Sequence, residues 1–374
     1  MFSPRGRRAH EKAGKANTAQ RTAGPRRELP DDLTHMGNPE IGAAADLFNG
    51  QERPKIKWTV LIANAVLILL IGGASFAFRE ESTAAELLAH LRPPWIALIV
   101  LLQIGTYFCT GGAWDVVLRR FRVRTKLLSI AALGVEKVFV DQLLPTLGLG
   151  GSLMVMRGLE RRGVKRGEAI AAMTIDAASY LTAFLVMSAI AASALLVEPG
   201  FSPAVRSFVI FFTVVLLVVV AAAWLFVLHA NFARWPAWLL RFSMVRKLAA
   251  ATTESPQDLA AGAKAGLWVV LLELAVFMLD TATLWAIFQA LGYSISPIHA
   301  LVTYMLASAV AMLSVIPGGL GTFDASALVV LHVFAVPFTA AAAGVVLLRV
   351  FTCLLPMLPG YIAFRFELVA HKNS

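Results

Sequence analysis

Eight charged side chains lie inside or beside long apolar stretches of the sequence. They are Glu136, Lys137, Asp141, Asp176, Glu273, Asp280, Asp324 and Arg349. A charge at the centre of a bilayer costs roughly 2.5 to 3.5 kcal/mol, so such groups face a bundle interior or a wet cavity and pair there. Lys137 and Asp141 are four residues apart and share a helix face. The pattern predicts one intramembrane polar cavity. The alternative is that each side chain only holds neighbouring helices together.

Two of these apolar stretches end in a proline followed by glycines. The residues of the two breaks are Pro145, Gly148, Gly150, Gly151, Pro317, Gly318, Gly319 and Gly321. Glycines let a backbone approach an anion closely, and the N-terminus of a following helix favours a phosphate. The breaks therefore predict backbone sites for an anionic lipid headgroup, with Lys137 and Arg349 supplying charge. A tight structural turn is the alternative.

The composition is that of a membrane protein. Of the 374 residues, 58% are hydrophobic and only 15% are charged, and the mean hydropathy is +0.72. These values exclude a soluble two-domain enzyme. Cys109 and Cys353 lie in apolar stretches, so no disulfide framework or thiolate metal site is expected. No nucleotide-binding or catalytic motif occurs either, and we expect neither a metal, a cofactor nor an enzymatic activity.

The hydrophobic pattern predicts an all-α polytopic membrane protein with about six full spans. The predicted spans are Trp58–Phe78, Pro94–Leu118, Ala169–Val197, Ser207–His229, Ala265–Leu291 and Thr339–Phe364. Two further segments, 127–156 and 297–336, contain the Pro/Gly breaks, and their second arms are too short to cross a bilayer. They are predicted to be re-entrant helical hairpins within a transmembrane domain covering 58–368.

The distribution of positive charge predicts the orientation of the chain. Residues 1–57 carry eleven Lys/Arg and seven Asp/Glu with only two aromatics, which is typical of a disordered cytoplasmic tail. Placing this tail and the C-terminal residues 369–374 in the cytoplasm puts 28 of the 33 Lys/Arg there. The first hairpin then opens to the cytoplasm and the second to the opposite side. The net charge of +10 thus indicates topology, and no nucleic-acid partner is expected.

The two breaks resemble each other and indicate an inverted repeat. Leu144-Pro145 with Gly148-Leu149-Gly150 is echoed about 171 residues later by Ile316-Pro317 with Gly319-Leu320-Gly321. Inverted repeats with broken helices are typical of transporters, because related half-sites can expose one cavity to each face in turn. Chance similarity of two short breaks is the alternative. Separately, the aromatic and basic segment 234–247 is predicted to lie on anionic lipid.

With these motifs the chain resembles the transmembrane, flippase-like family of lysylphosphatidylglycerol synthases, over roughly residues 55 to 368. The first set of motifs is Gln142-Leu-Leu-Pro145, Arg157 and Arg161-Arg162-Gly163-Val164. The second is Ile316–Gly321, followed by Asp324 and Arg349. Two departures are Asp141-Gln142, where many relatives have Asn, and Gly150-Gly151-Ser152, where they have Gly-Glu or Gly-Asp. Only ten residues follow Phe364, so the aminoacyl-transferase domain, and lysine transfer with it, are not expected.

The resemblance implies a bacterial inner-membrane protein that binds or moves a phospholipid, a hopanoid-type lipid or a polyprenyl-linked lipid. It also places Arg157 with the breaks and the charged residues in a headgroup cavity. An intramembrane lipid-modifying transferase and a non-catalytic assembly subunit are the two alternatives. The sequence does not indicate an oligomeric state. One further prediction follows from the cost of a buried charge: Arg349 has a carboxylate partner among Asp141, Asp176, Glu273, Asp280 and Asp324.

Overall fold

A computed structural model describes residues 92–143, 149–197, 202–228, 262–314, 319, 321–357 and 359–360. The helices in these ranges are α1 (Pro93–Arg120), α2 (Leu127–Leu143), α3 (Leu149–Arg161), α4 (Arg166–Val197), α5 (Pro203–Leu228), α6 (Gly266–Ala290), α7 (Pro297–Leu313), α8 (Thr322–Val333) and α9 (Phe338–Arg349). A π-helix, Val350–Leu354, continues α9. No strand occurs in these ranges, as the all-α prediction requires. The predicted tail 1–57, the span Trp58–Phe78, the interfacial segment 234–247 and residues 369–374 lie outside the described residues.

Five helices of the described chain are long and apolar enough to cross a membrane. They are Pro93–Arg120, Arg166–Val197, Pro203–Leu225, Gly266–Ala290 and Phe338–Met357. Each overlaps one of the six predicted spans, so five of those predictions are confirmed as apolar helices of spanning length. The sixth, Trp58–Phe78, is outside the described residues.

Helix α6 lies at the centre of the bundle. It packs against α1 along much of its length and also contacts α4, α7 and α9. Its residues Leu284 and Phe288 are fully buried, whereas Trp268 near its start is 60% exposed. A helix that is apolar on all sides suits this position, because every face of it meets protein or lipid. Polar residues on α6 are therefore placed where several helices meet.

The second predicted break interrupts a helix, because α7 ends at Leu313 and α8 begins at Thr322. Most of the first break, residues 144–148, lies outside the described residues, between α2 and α3. Helix α2 packs on α3, and α7 packs on α8. Their lengths are 17, 13, 17 and 12 residues, or about 25 Å at most, less than a hydrocarbon core of about 30 Å. These pairs are named hairpin 1 and hairpin 2. Pro145, Gly148, Pro317 and Gly318 lie outside the described residues.

The ends of hairpin 2 follow ordinary helix-capping chemistry. Helix α7 begins at Pro297, and the Ser296 hydroxyl accepts the His299 N–H at 3.1 Å. Pro at the first helical position and Ser at the N-cap are the preferred residues there. Helix α8 starts after Gly321, whose φ of +82° is accessible to glycine without strain. The Asp324 carboxylate accepts the Gly321 N–H at 2.8 Å and caps this helix.

Hairpin 1 differs from the prediction at its second arm. Gly150 and Gly151 were expected in the break, but both lie in the first turn of α3, which begins at Leu149. The Gly151 N–H donates to the Asp141 carboxylate of α2 at 2.9 Å. This acceptor satisfies one of the N–H groups that a helix start leaves unpaired. It comes from ten residues away, so local sequence does not reveal it.

The π-helix joins two halves of the last described helix that have different neighbours. Before it, Arg349 reaches Asp324 on α8. After it, Met357 packs with Phe139 and Val140 of α2. Short π-helices are rare and are found mostly at functional sites. The π-helix of this protein lies on a helix that contacts both hairpins.

Candidate functional site

Asp280 is the centre of a hydrogen-bonded group between α1, α6 and α7. Its carboxylate accepts from the Tyr304 hydroxyl at 2.8 Å and from Gln103 Nε2 at 3.2 Å. Gln103 Nε2 also donates to Thr283 Oγ1 at 3.0 Å. Gln103 is 4% exposed and Thr283 is fully buried. Donors from two helices, α1 and α7, therefore converge on one carboxylate of α6, as a buried charge requires.

A second acidic group lies between α4 and α6. The carboxyl groups of Asp176 and Glu273 lie close enough to interact electrostatically. The buried Trp114 indole of α1 lies beside Asp176. Lys137 of hairpin 1 is close enough to both carboxyls to interact with them electrostatically. Lys137 thus interacts electrostatically with two carboxyl groups on neighbouring helices.

Several of these polar side chains are partly accessible although protein surrounds them. The side chains of Lys137 and Asp141 are 27% and 21% exposed, and Tyr180 is 42% exposed. Asp280 and Tyr304 also keep part of their surface accessible, and both lie deep within the protein. This group of enclosed and partly accessible polar side chains is named here the polar cleft.

The polar cleft connects the two hairpins. Tyr180 lies within electrostatic range of Asp141, Asp176 and Glu273. Tyr304 lies within such range of Tyr180, Asp280 and Arg349. Electrostatic interactions therefore link polar side chains near the tip of hairpin 1 to those near the tip of hairpin 2.

An ion pair stands at the hairpin 1 end of the cleft. Lys137 Nζ lies 2.8 Å from Asp141 Oδ2, one turn away on α2. The other oxygen of Asp141 accepts the Gly151 N–H. The carboxylate thus joins the lysine of the first arm to the start of the second arm.

A second ion pair stands at the tip of hairpin 2, and it confirms the predicted partner for Arg349. Arg349 Nε donates to Asp324 Oδ1 at 2.7 Å, and Nη2 donates to Asp324 Oδ2 at 3.4 Å. Nη2 also donates to the Gly319 carbonyl at 3.3 Å, and the guanidinium lies 4.6 Å above the Phe323 ring. Arg349 Nη1 lies 3.6 Å from Cys353 Sγ. Charge, backbone and ring contacts hold the arginine in one place.

The two tips use the same chemistry with residues from different positions. In each, a carboxylate accepts a glycine N–H at the start of the second arm and pairs with a cation. Asp324 belongs to the second arm, whereas Asp141 belongs to the first. The N–H groups of Gly151 and Gly321, predicted as ligands for a headgroup phosphate, are thus taken by side chains in this conformation. A phosphate would have to displace a carboxylate to reach them.

Three further residues were predicted to belong to the site: Arg157, Glu136 and Gly150. Arg157 is on α3, where its charged neighbours are Glu160, Arg161 and Arg166. Glu136 is 1% exposed on α2. Gly150 is in the first turn of α3. Among the described residues no group of His, Cys, Asp and Glu could hold a metal ion.

Sequence reasoning missed the neutral members of the cleft, which include Gln103, Tyr304 and Tyr180. One signal was present: Gln103 is an amide in the middle of the apolar span α1. A buried amide needs partners, so it indicates a polar neighbour on a facing helix. The tyrosines carried no such signal, because phenol rings are common in membrane helices.

A sequence profile of the lysylphosphatidylglycerol synthase transmembrane region matches residues 58–360. The chain belongs to this family. The UPF0104 membrane protein MJ1595 of Methanocaldococcus jannaschii is similar, with 21% identity over 319 residues, 82% of this chain and 94% of that protein. The family region includes both hairpins and all the side chains of the polar cleft. The cleft is thus within the part of the chain that defines the family.

Proposed function

We propose that this protein moves a lipid between the two leaflets of a bacterial inner membrane. The observation that carries the proposal is the polar cleft, whose accessible charged side chains lie between two hairpins in a bundle of membrane-spanning helices. A lipid crosses a bilayer slowly because its headgroup must leave water. A polar lining at membrane depth lowers that barrier, while the acyl chains stay in the bilayer. The candidate cargoes are a phospholipid, a hopanoid-type lipid and a polyprenyl-linked lipid.

An inverted-repeat mechanism is part of this proposal. The contacts of the helices support it: α1 packs on α2 as α6 packs on α7, and α3 packs on α4 as α8 packs on α9. Helices α1 and α6 pack on each other, as the related members of two inverted halves do. In the proposed mechanism both hairpins are re-entrant, hairpin 1 opens to the cytoplasm and hairpin 2 opens to the other side.

The two ion pairs support alternate access to the cleft. The side chains of Lys137 and Asp141 are 27% and 21% exposed, whereas those of Arg349 and Asp324 are 11% and 2% exposed. The end at hairpin 1 is thus more open than the end at hairpin 2. In the proposed cycle this conformation receives a headgroup from the hairpin 1 side, and a second conformation reverses the two exposures.

The lining of the cleft favours one kind of headgroup. Asp176, Glu273 and Asp280 provide hydrogen-bond acceptors, and Lys137 is the cation near them among the described residues. Such a lining suits a headgroup with several donors, such as hydroxyl or amino groups, with its phosphate near Lys137. A headgroup that carries only negative charge would be repelled by the acids.

The proposal extends to location and partners. The tail and the C-terminus face the cytoplasm, the basic and aromatic segment 234–247 binds anionic lipid, and the protein performs no chemical step on its cargo. The positive charge of the loops supports this orientation. Membrane lipids are the proposed partners.

Leaflet-resolved lipid movement in reconstituted vesicles tests the proposed function. Vesicles contain phosphatidylethanolamine or phosphatidylglycerol with a fluorescent label, and an impermeant reductant bleaches only the outer leaflet. We expect the protein to expose the inner-leaflet label to bleaching. Glu273→Gln and Asp280→Asn are expected to slow this movement about tenfold, as loss of about 1.4 kcal/mol of barrier lowering implies.

Two controls make this test decisive. Leu217→Ala changes a lipid-facing residue of α5 that is 56% exposed, and it is expected to leave the rate unchanged. Folding of every variant is compared by thermal unfolding before reconstitution. Equal bleaching with and without the protein, for every lipid class tried, would reject translocation and favour the assembly-subunit alternative.

A further inference from the structure

We propose that a cavity at the mouth of hairpin 2 binds an uncharged, polyhydroxylated group such as a sugar. The cavity is separate from the polar cleft in its residues and in its chemistry. This inference deepens the proposed function, on which it rests only in taking a lipid-linked sugar as the physiological source of the group. Binding itself can be tested without transport.

The cavity lies where four helix ends meet. These are the end of α6, the start of α7, the end of α8 and the start of α9. Its volume is about 710 Å³, within the range of roughly 300 to 1,000 Å³ that is usual for small-molecule sites. The side chains of interest in its lining are Trp285, Gln289, Tyr293, Ser294, His299 and Phe334. We name it the mouth cavity.

Among the described residues, the lining of the mouth cavity contains no Asp, Glu, Lys or Arg. A phosphate or an ammonium group would therefore find no opposite charge there. Aromatic faces pack against the C–H faces of a sugar ring, and amide and hydroxyl groups both donate to and accept from its hydroxyls. Trp285, Tyr293 and Phe334 supply the first kind of contact, and Gln289, Ser294 and the Tyr293 hydroxyl supply the second.

The walls of the cavity are held in place by contacts of their own. Trp285 Nε1 donates to the Ile295 carbonyl at 3.2 Å, and its ring meets Trp95 edge to face with centroids 5.3 Å apart. The His299 ring stacks on Phe334 with centroids 4.0 Å apart and planes 6° apart. A site whose walls are fixed before binding loses less entropy when a ligand binds.

An aromatic belt at the membrane surface would be a simpler explanation for these rings. Belt residues expose a ring to lipid, as Trp268 at the other end of α6 does with 60% of its surface exposed. Trp285 is only partly exposed and its Nε1 is bonded inside the protein. His299 and Phe334 cover each other. These rings line a concave space, which is the arrangement of a binding site.

Saturation-transfer NMR with the full chain in nanodiscs tests the inference. The nanodiscs contain phosphatidylglycerol and phosphatidylethanolamine, so no sugar-bearing lipid competes. The probes are methyl β-glucoside, octyl β-glucoside below its micelle-forming concentration, and phosphocholine as a charged comparison. We expect transfer to both glucosides and none to phosphocholine. Tighter binding of octyl than of methyl glucoside identifies a lipid-linked source, and equal binding identifies a free sugar.

Substitutions locate the binding. Trp285→Ala and Gln289→Leu are each expected to raise the Kd for the glucosides about tenfold, because one removes the stacking face and the other a polar contact. Trp268→Ala on the same helix is the matched control and is expected to leave Kd unchanged. Trp285 also packs in the core, so Tyr293→Phe, which removes only a hydroxyl, provides a milder variant if Trp285→Ala fails to fold.

The possible outcomes separate this inference from the proposed function. Absence of transfer to both glucosides, or equal transfer to phosphocholine, overturns the mouth cavity as a sugar site. Transfer that survives Gln289→Leu and Tyr293→Phe unchanged places the sugar elsewhere and also overturns it. Sugar binding without any lipid movement would overturn translocation and leave the site standing. Lipid movement without sugar binding would overturn the sugar site and leave translocation standing.

Discussion

Arg349 and Asp324 form a salt bridge of 2.7 Å that closes the turn of hairpin 2 from both sides. Asp324 accepts the N–H of Gly321, and Arg349 donates to the carbonyl of Gly319. The two glycines flank a single position of the turn. One ion pair therefore fixes the backbone of this tip and attaches it to the last described helix.

Removing one partner of this pair is predicted to be strongly destabilising. Asp324→Leu leaves the Arg349 guanidinium buried without its counter-charge, which lowers the free energy of unfolding by about 3 to 5 kcal/mol. Thermal or denaturant unfolding in detergent measures the loss. Lys165→Ala is the control, because its 4.0 Å pair with Glu168 is 86% exposed on the lysine side and is expected to contribute about 0 to 1 kcal/mol.

A double variant separates the charge from the packing. Arg349→Met with Asp324→Leu removes both charges and replaces them with apolar groups. It is predicted to be more stable than Asp324→Leu alone. The comparison includes the unmodified protein, Asp324→Leu and the double variant. If the double variant is the least stable of these three, the apolar replacements fit badly, and the prediction that the unpaired charge is the main penalty is wrong.

Gly319→Ala is predicted to be more destabilising than Gly163→Ala. Both glycines have positive φ, +62° and +84°, so both substitutions strain the backbone by about 1 to 2 kcal/mol. A Cβ at Gly319 would also lie 2.6 Å from the Ala311 Cβ, whereas one at Gly163 would meet nothing within 4 Å. Unfolding midpoints of the two variants give the comparison. Equal destabilisation would mean that α7 and the turn separate easily.

Asp141→Asn and Asp141→Leu are predicted to have different effects on hairpin 1. Asparagine keeps an oxygen that can accept the Gly151 N–H and loses only the charge beside Lys137. Leucine loses both the acceptor oxygen and the charge. The Asp141→Leu variant is therefore predicted to be less stable than Asp141→Asn by about 0.5 to 1.5 kcal/mol, the usual contribution of one hydrogen bond. Protection of the Gly151 amide from hydrogen exchange follows the same order. Equal protection in both variants would show that the Asp141 carboxylate does not cap α3.

Tyr304→Phe is predicted to impair lipid movement more than it impairs folding. Asp280 keeps its contact with Gln103, so the fold loses one hydrogen bond, about 0.5 to 1.5 kcal/mol. The cleft loses a hydroxyl midway between the hairpins. The vesicle assay and thermal unfolding together measure both effects. Leu217→Ala, the lipid-facing variant of α5, serves as the control. Unchanged transport in Tyr304→Phe would show that the Tyr304 hydroxyl does not contribute to lipid movement.

The proposed topology predicts the labelling of single cysteines by an impermeant maleimide. Arg124→Cys precedes hairpin 1 and Lys165→Cys follows it, and both positions are exposed. We expect both to react from the same side of the membrane, and Ser294→Cys to react only from the opposite side. The starting protein has Cys109 and Cys353 replaced by alanine. Reaction of positions 124 and 165 from opposite sides would contradict a re-entrant hairpin 1.

Local chemistry made the helices predictable. The apolar stretch Leu127–Leu143 was predicted to be a helix, and α2 covers these residues. Residues 144–148, where the Pro/Gly break was predicted to stop it, lie outside the described residues. Arg349 was predicted to have an acidic partner because a lone buried arginine is too unfavourable. The identity of that partner depends on how α8 and α9 pack, and no pattern in either helix specifies it.

Long-range contacts account for what the sequence did not reveal. Gly150 and Gly151 were predicted to lie in a loop, but Asp141 provides the missing acceptor and α3 begins before them. Gln103, Tyr180 and Tyr304 were overlooked because neutral polar groups are tolerated in apolar helices and do not lower hydropathy much. Their role depends on facing Asp280, Asp176 and Glu273 across helix interfaces, which is a property of the fold.

The π-helix has a mechanical consequence for the two hairpins. A π turn contains one residue more than the regular ladder needs, so residues beyond it are rotated by about 100° from where an unbroken α-helix would carry them. This offset lets one helix direct Arg349 toward hairpin 2 and Met357 toward hairpin 1. Deleting one residue within 350–354 would restore the regular ladder and turn Met357 away from Phe139. The last described helix is thus attached to a different hairpin on each side of the π-helix.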